Sequence, residues 1–218
     1  MKRTANYEND YHNCLHKYLI TDESYYKARA RLALVKYFKG IPKNSKILEF
    51  GCGVGQNIYM LKNAIGYDIS NYSLNIAKSK GVNIIGNIKD IKNNSCDVVF
   101  SSHVLEHVEN PIETLKLIKS KIKEGGKLIL VLPVEKHAKV DFNMDVNQHL
   151  YAWNFRTINN LLIKAGFKVI KNEFAYGTAY HKLLFVSKVN FRLYHWLTKL
   201  AGFVKGSKEM IIVAKRVD

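Results

Sequence analysis

The sequence predicts a doubly wound α/β domain with a mostly parallel sheet, and two observations carry that expectation. From Pro42 onward short β-branched runs alternate with helical stretches, and the runs "CDVVFSS" and "KLILVLPV" are apolar almost throughout. Strands without polar alternation are buried on both faces, which requires helices above and below the sheet and right-handed crossovers between parallel neighbours. At 218 residues a single domain is the default, large enough to bury a core without disulfides or metals.

The elements follow in order. Between Tyr7 and Lys39 apolar residues recur at helical spacing, as in "RARLALVKYFKG", until Gly40 and Pro42 stop the pattern. This predicts one or two helices forming an N-terminal cap over residues 1–42. "KILEFG" then reads as a strand, "QNIYMLKN" as a helix, "NAIGYDIS" as a strand ending at an acid, "YSLNIAKSKG" as a helix closed by Gly81, and "VNIIGN" as a strand. After "CDVVFSS", "NPIETLKLIKSKIKEGG" is a helix with Pro111 near its start and a glycine stop. "KLILVLPV" completes a half spanning 43–135, and the carboxyl ends of its strands are where such sheets bind ligands. Residues 136–218 add a long polar connection, the helix "TINNLLIKAGF", the strand "KVIKNEFAY", a basic amphipathic insert at about 182–204, and the final strand "EMIIVAKR".

Composition narrows the functional classes. With 47% hydrophobic residues and three prolines the chain is a folded protein, neither disordered nor collagen-like. Three scattered cysteines, Cys14, Cys52 and Cys96, form no C-x-x-C pair. The start "MKRTANYENDYHNC" has no secretory apolar core and no window holds the ~20 apolar residues of a membrane span, so a cytoplasmic protein is expected. A formal charge of +16 draws the protein toward anionic partners. Nucleic acid is disfavoured, because the basic residues form no dense cluster interleaved with aromatics.

The sharpest local signal is "KILEFGCGVGQN", in which Gly51, Gly53 and Gly55 alternate directly after a buried strand. Such a turn lets a ligand approach bare main chain. The G-x-G-x-x-G spacing of dinucleotide folds is absent, and Glu49 would repel a pyrophosphate by about 1 to 4 kcal/mol at ~4 Å. The ligand therefore carries a cation at this point. S-adenosylmethionine meets that demand with an ammonium group, no phosphate, and ribose hydroxyls suited to Asp68.

Here the chain resembles the class I S-adenosylmethionine-dependent methyltransferases. "ILEFGCGVG" is similar to their first motif, "IGYDIS" to the ribose-binding acid, "IIGN" to the adenine-side turn, "CDVVFSSHVLEHV" to the fourth-strand motif and "GGKLILVLP" to the fifth strand, over roughly Lys46 to Phe174. The resemblance implies a Rossmann-like seven-stranded sheet with an antiparallel last strand. It places Glu49, Gly51, Cys52, Gly53, Gly55 and Asn57 around the methionine end, Asp68 at the ribose, Ile69 and Ile88 about the adenine, and Ser102 and His103 beside the sulfonium. Asn87 stands where the family usually has an aspartate for the adenine amino group, keeping an acceptor oxygen but no charge. Cys52 between its glycines reads as a small side chain tolerated at the turn rather than as a nucleophile.

Two further clusters bear on the acceptor. "HVLEH" sets His103, Glu106 and His107 on what should be one helical turn. H-x-x-E-H is a zinc-protease pattern, and some methyltransferases that this chain resembles hold a divalent ion here. With histidine as its first member the segment reads as capping and packing, and no metal is expected. In "NQHLYAWN", His149 is the candidate base for a hydroxyl acceptor, with Tyr151 beside it and His107 from the other cluster. The insert puts Leu183, Val186, Val189, Leu193, Leu197 and Leu200 on one stripe, which either closes the acceptor pocket or lies on an anionic membrane. The expected acceptor is a small molecule, anionic, glycan or lipid-linked. The weaker alternatives are an RNA-directed enzyme or binding protein, and a non-catalytic scaffold retaining the cofactor fold.

Overall fold

The computed structural model describes residues 17–135, 148–177 and 179–217. Two helices, α1 (Lys17–Thr21) and α2 (Glu23–Tyr37), precede the sheet. The alternating part runs β1 (Ile47–Phe50), β2 (Ala64–Tyr67), α3 (Asn71–Ser79), β3 (Ile84–Ile85), β4 (Cys96–Ser102), α4 (Pro111–Lys121) and β5 (Ile122–Pro133). The remainder is α5 (Phe155–Lys164), β6 (Phe167–Tyr176), α6 (Leu184–Val189), α7 (Phe191–Val204) and β7 (Lys208–Arg216). The strands form one seven-stranded sheet in the order β3-β2-β1-β4-β5-β7-β6, parallel except for β7, which is antiparallel to both its neighbours. The doubly wound sheet with an antiparallel last strand is as the sequence led one to expect.

Strand β5 shows why the sheet is covered twice. Leu128, Leu130 and Leu132 pack with Leu115 and Ile118 of α4 and Ile158 and Leu162 of α5, while Ile129 and Val131 join Ala33 of α2 and Ala77 of α3 on the opposite face. The helix starts are capped from the side chain: Asp22 accepts from Tyr25 N–H, Ser70 from Ser73 N–H and Asn110 from Glu113 N–H, while Asn154 and Thr157 form a capping box. Helix α2 buries several sides at once. Tyr26 packs against Val54, Ala28 and Leu32 against Leu184 and Tyr194, and Ala33 against the sheet.

Three local expectations are corrected. "QNIYMLKN" is a run of turns, not a helix: only residues 51–63 separate β1 from β2, and the glycine bends use up the first of them. The connection still anchors itself through Ile58, buried with Ala64 and Val98. "HVLEH" is likewise a turn, closed by His107 N–H donating to Val104 C=O, because His103 adopts φ 56° and breaks any helical path. The amphipathic insert is two helices broken at Asn190, whose side chain accepts from Leu193 N–H to start α7. The stripe read from the sequence is not the buried one: Leu184, Ser187, Tyr194, Thr198 and Gly202 face inward, and Val189, Leu193 and Leu200 are exposed. The helical pattern before Lys17 and most of the polar connection after Pro133 lie outside the described residues.

Candidate functional site

The glycine turn leaves the end of β1 with Gly51, Gly53 and Gly55 all in the left-handed region, at φ 78°, 51° and 79°. Gly51 abuts Val104, so a side chain there would drive the turn off β4's end, whereas a Cβ at Gly53 would point into open space. The turn's amides bind inward. Gly51 N–H and Cys52 N–H donate to Tyr67 C=O, and Gly53 N–H donates to Asp68 Oδ2 at 2.7 Å. Asp68 Oδ1 accepts from Ser70 N–H at 2.9 Å, which leaves each carboxylate oxygen with lone pairs for a further donor. Cys52 is buried with its thiol against Gly66, and burial pushes its pKa up. Its side chain thus belongs to the packing of the turn.

Glu49 is fully buried. Its Oε1 accepts from Asn57 Nδ2 at 2.7 Å, while Oε2 is buried with no hydrogen-bond partner among the described residues. Burial raises the carboxyl pKa to about 8; Asn57 opposes that shift and the nearby Asp68 charge adds to it. A buried carboxylate oxygen lacking a donor is a place for a cationic group, and an ammonium fits it. Asn57 holds Glu49 in place through this bond.

On the adenine side the expected sandwich is lopsided. Ile69 is 70% exposed immediately after Asp68, whereas Ile88 is buried in the main core. Asn87 Oδ1 accepts from Lys89 N–H and caps the short turn Ile88–Asp90, so its oxygen already has a backbone donor.

Beyond the turn lies a chain of histidines and carboxylates. Ser102 ends β4, and His103 stands between two acids, with Nδ1 3.5 Å from Glu106 and Nε2 3.4 Å from Glu209. Desolvation works against the charged ring, but the two carboxylates outweigh it and hold its pKa at about 9. Glu209, nearly buried at the start of β7, also takes Lys36 Nζ at 2.7 Å and Tyr37 Oη–H at 2.5 Å. Burial would raise its pKa, yet His103 and Lys36 pull it down to about 2. Sequence reasoning missed Lys36, Tyr37 and Glu209. The only available signal was a carboxylate opening an otherwise apolar strand.

Glu106 is completely buried, and both its oxygens lack a hydrogen-bond partner among the described residues. The main chain of Leu150 and Tyr151 donates to Glu106 C=O at 2.8 and 3.3 Å, which lashes the segment carrying His149 onto this turn. His107 and His149 then meet edge to face, ring centroids 4.7 Å apart. Burial lowers the His107 pKa. His149 Nδ1 lies 2.6 Å from Glu135 Oε1, and because a carboxylate only accepts, Nδ1 carries the proton. Glu106, His107 and His149 offer ligand atoms within 4.8 Å of one another and could hold a divalent ion. The sequence grouped His103 with Glu106 and His107; the fold adds His149 and Glu135. Tyr151, expected beside His149, donates its hydroxyl to Glu109 C=O and stacks its ring on Trp153.

A cleft of about 320 Å³ opens beside His103, lined also by Pro133, Ala175, Gly177, Lys208 and Glu209.

Comparison with known proteins bears on the family and the fold. A family model described as a methyltransferase domain matches residues 21–172. An uncharacterized protein of Methanocaldococcus jannaschii is 31% identical over 144 residues, covering 60% of this chain and 68% of its own. Among solved structures, an S-adenosylmethionine-dependent methyltransferase of Thermotoga maritima, described as a possible histamine N-methyltransferase, superposes with TM-score 0.63 at 18% identity, covering 94% of this chain and 96% of that one. Another from Archaeoglobus fulgidus gives 0.57 at 22% identity, covering 87% and 92%. With a family model described as a methyltransferase domain spanning most of its length, the chain belongs to the S-adenosylmethionine-dependent methyltransferases.

Proposed function

We propose that this methyltransferase acts on a hydroxyl oxygen of a small-molecule acceptor, a metabolite, sugar or lipid-linked intermediate. The observation that carries the reading is the Glu135–His149 pair at 2.6 Å, lashed beside His107 and the buried Glu106. When bound, the cofactor supplies a methyl group already activated on a sulfonium, so the protein contributes alignment and one proton transfer. Glu49 Oε2 and the main chain at Gly53 receive the methionine end. Asp68 takes the ribose hydroxyls with its remaining lone pairs, Ile69 lies along the adenine, and Ser102 and His103 stand at the reacting end.

A hydroxyl must lose its proton as the oxygen attacks. His103 is held protonated at neutral pH and cannot take it. His149 can: Glu135 fixes the proton on Nδ1, which leaves the Nε2 lone pair to accept the hydroxyl proton, and Glu135 stabilises the resulting imidazolium. An amine acceptor, by contrast, needs only to arrive unprotonated.

The test is a screen of hydroxylated, glycosylated and lipid-linked acceptors for methyl transfer, followed by His149→Ala. We expect kcat to fall roughly 100- to 10,000-fold with cofactor affinity unchanged. Full turnover in the variant would remove His149 as the base. Activity lost on exhaustive chelation and restored by a divalent ion would instead give the Glu106–His107–His149 cluster to a metal.

A further inference from the structure

Helix α7 is built inside out. Tyr194, Thr198 and Gly202 face the protein, and Gly202 lies so close to the Gly177 backbone that any side chain there would collide with it. At roughly 100° per residue, this packing turns the opposite face outward. That face carries Leu193, Trp196, Leu200, Phe203 and Val204, exposed to 45, 57, 44, 64 and 76%. A core-facing helix buries its apolar stripe. This one displays it.

Charge decides what covers such a face. Arg192 and Lys199 run along one flank of the stripe and are exposed, as are Lys188 just before the helix and Lys205 just after it. No Asp or Glu stands between Glu173 and Glu209, in a chain whose formal charge is +16. Apolar aromatics on one face with lysine and arginine at its border form the pattern of a helix lying in the plane of an anionic bilayer, with Trp196 at headgroup depth. Self-association would bring these like charges together. Among the described residues no helix is long and apolar enough to cross a membrane, so contact of this kind is peripheral.

We propose that α7 docks the enzyme on an anionic phospholipid surface. The turn ending α7, residues 205–207, leads directly into Lys208 and Glu209 at the cleft, so docking brings the cleft beside the bilayer. Docking stands on α7 alone; its consequence, that the acceptor is an amphiphile drawn from the membrane, rests on the methyl-transfer reading above.

The experiment is vesicle flotation of the full chain at low salt, with phosphatidylcholine alone and with about 30% phosphatidylglycerol added. We expect binding to the mixed vesicles only, with a blue shift of Trp196 emission measured in a Trp153→Phe background. Trp196→Ser with Leu200→Ser should abolish binding, and Arg192→Gln and Lys199→Gln should each weaken it about fivefold. Absence of binding to the anionic vesicles, or binding undiminished by the serine pair, would overturn the proposal. So would a dimer in sedimentation velocity that Trp196→Ser dissociates, which would give the face to a second copy. Calorimetric titration with S-adenosylmethionine on the same samples reads the methyl-transfer site separately, so failure of either reading is visible without the other.

Discussion

Glu49 is the residue on which the proposed ammonium site turns. Its position before the glycine turn is legible in the sequence; its meaning comes from burial, which leaves Oε2 without a donor and raises the pKa to about 8. At pH 7 the carboxyl is therefore mostly protonated before the cofactor arrives, and pairing with an ammonium requires that proton to leave. Binding at pH 7 should release close to one proton, seen as a calorimetric enthalpy that depends on the buffer's own ionisation enthalpy. Glu49→Gln should abolish that dependence and weaken binding about 10- to 100-fold, the loss of a hydrogen bond to a charged group. Equal enthalpies in phosphate and Tris would contradict the assignment. Asp68 is the complementary case: the carboxylate already holds Gly53 N–H and Ser70 N–H, so Asp68→Ala should loosen the turn as well as remove the proposed ribose partner.

At the scale of elements, tertiary contacts override local pattern in the first crossover and in α7. "QNIYMLKN" has helical residues but too short a span between β1 and β2, so it closes as turns around Ile58. Helix α7 has the stripe the sequence shows, yet it is oriented by its small residues. Gly202 meets Gly177 backbone to backbone, and Thr198 C=O lies against Gly177 as well. Such close approach selects glycine and decides which face turns inward. Gly202→Ala should destabilise the protein by about 1–3 kcal/mol through overpacking, read as a lower denaturation midpoint with an unchanged slope. A neutral effect would mean that α7 does not pack backbone to backbone on Gly177.

Across the whole molecule, an ionic chain links the N-terminal helix to the far side of the sheet: Lys36 and Tyr37 of α2 to Glu209 of β7, then His103 after β4, then Glu106. Two of its members, His103 and Glu209, bracket a pH window. The His103 pKa is raised in the folded state, so its contribution is complete below about 6.5 and is lost as pH rises through about 9. The Glu209 pKa is depressed, so its contribution holds above 4.5 and is lost as pH falls toward about 2. The stability gap between the wild type and His103→Asn, a residue that tolerates the left-handed backbone, should therefore narrow from pH 6.5 to 9.5 in denaturant titrations. A gap that stays constant would mean His103 is not held between charged carboxylates.

By itself the sequence determined the doubly wound sheet, the glycine turn, Glu49 and Asp68, because these depend on local pattern: apolar runs that need two cover layers, and glycines that permit positive φ. It also singled out His107 and His149, whose rings the fold brings together. Only the tertiary structure decided that Glu135 holds His149, that Glu209 links His103 to Lys36, that Tyr151 turns its hydroxyl to Glu109, and which face of α7 meets solvent. Those pairings join residues far apart in the chain, and long-range contact is chosen by packing and desolvation, which short-range periodicity does not record.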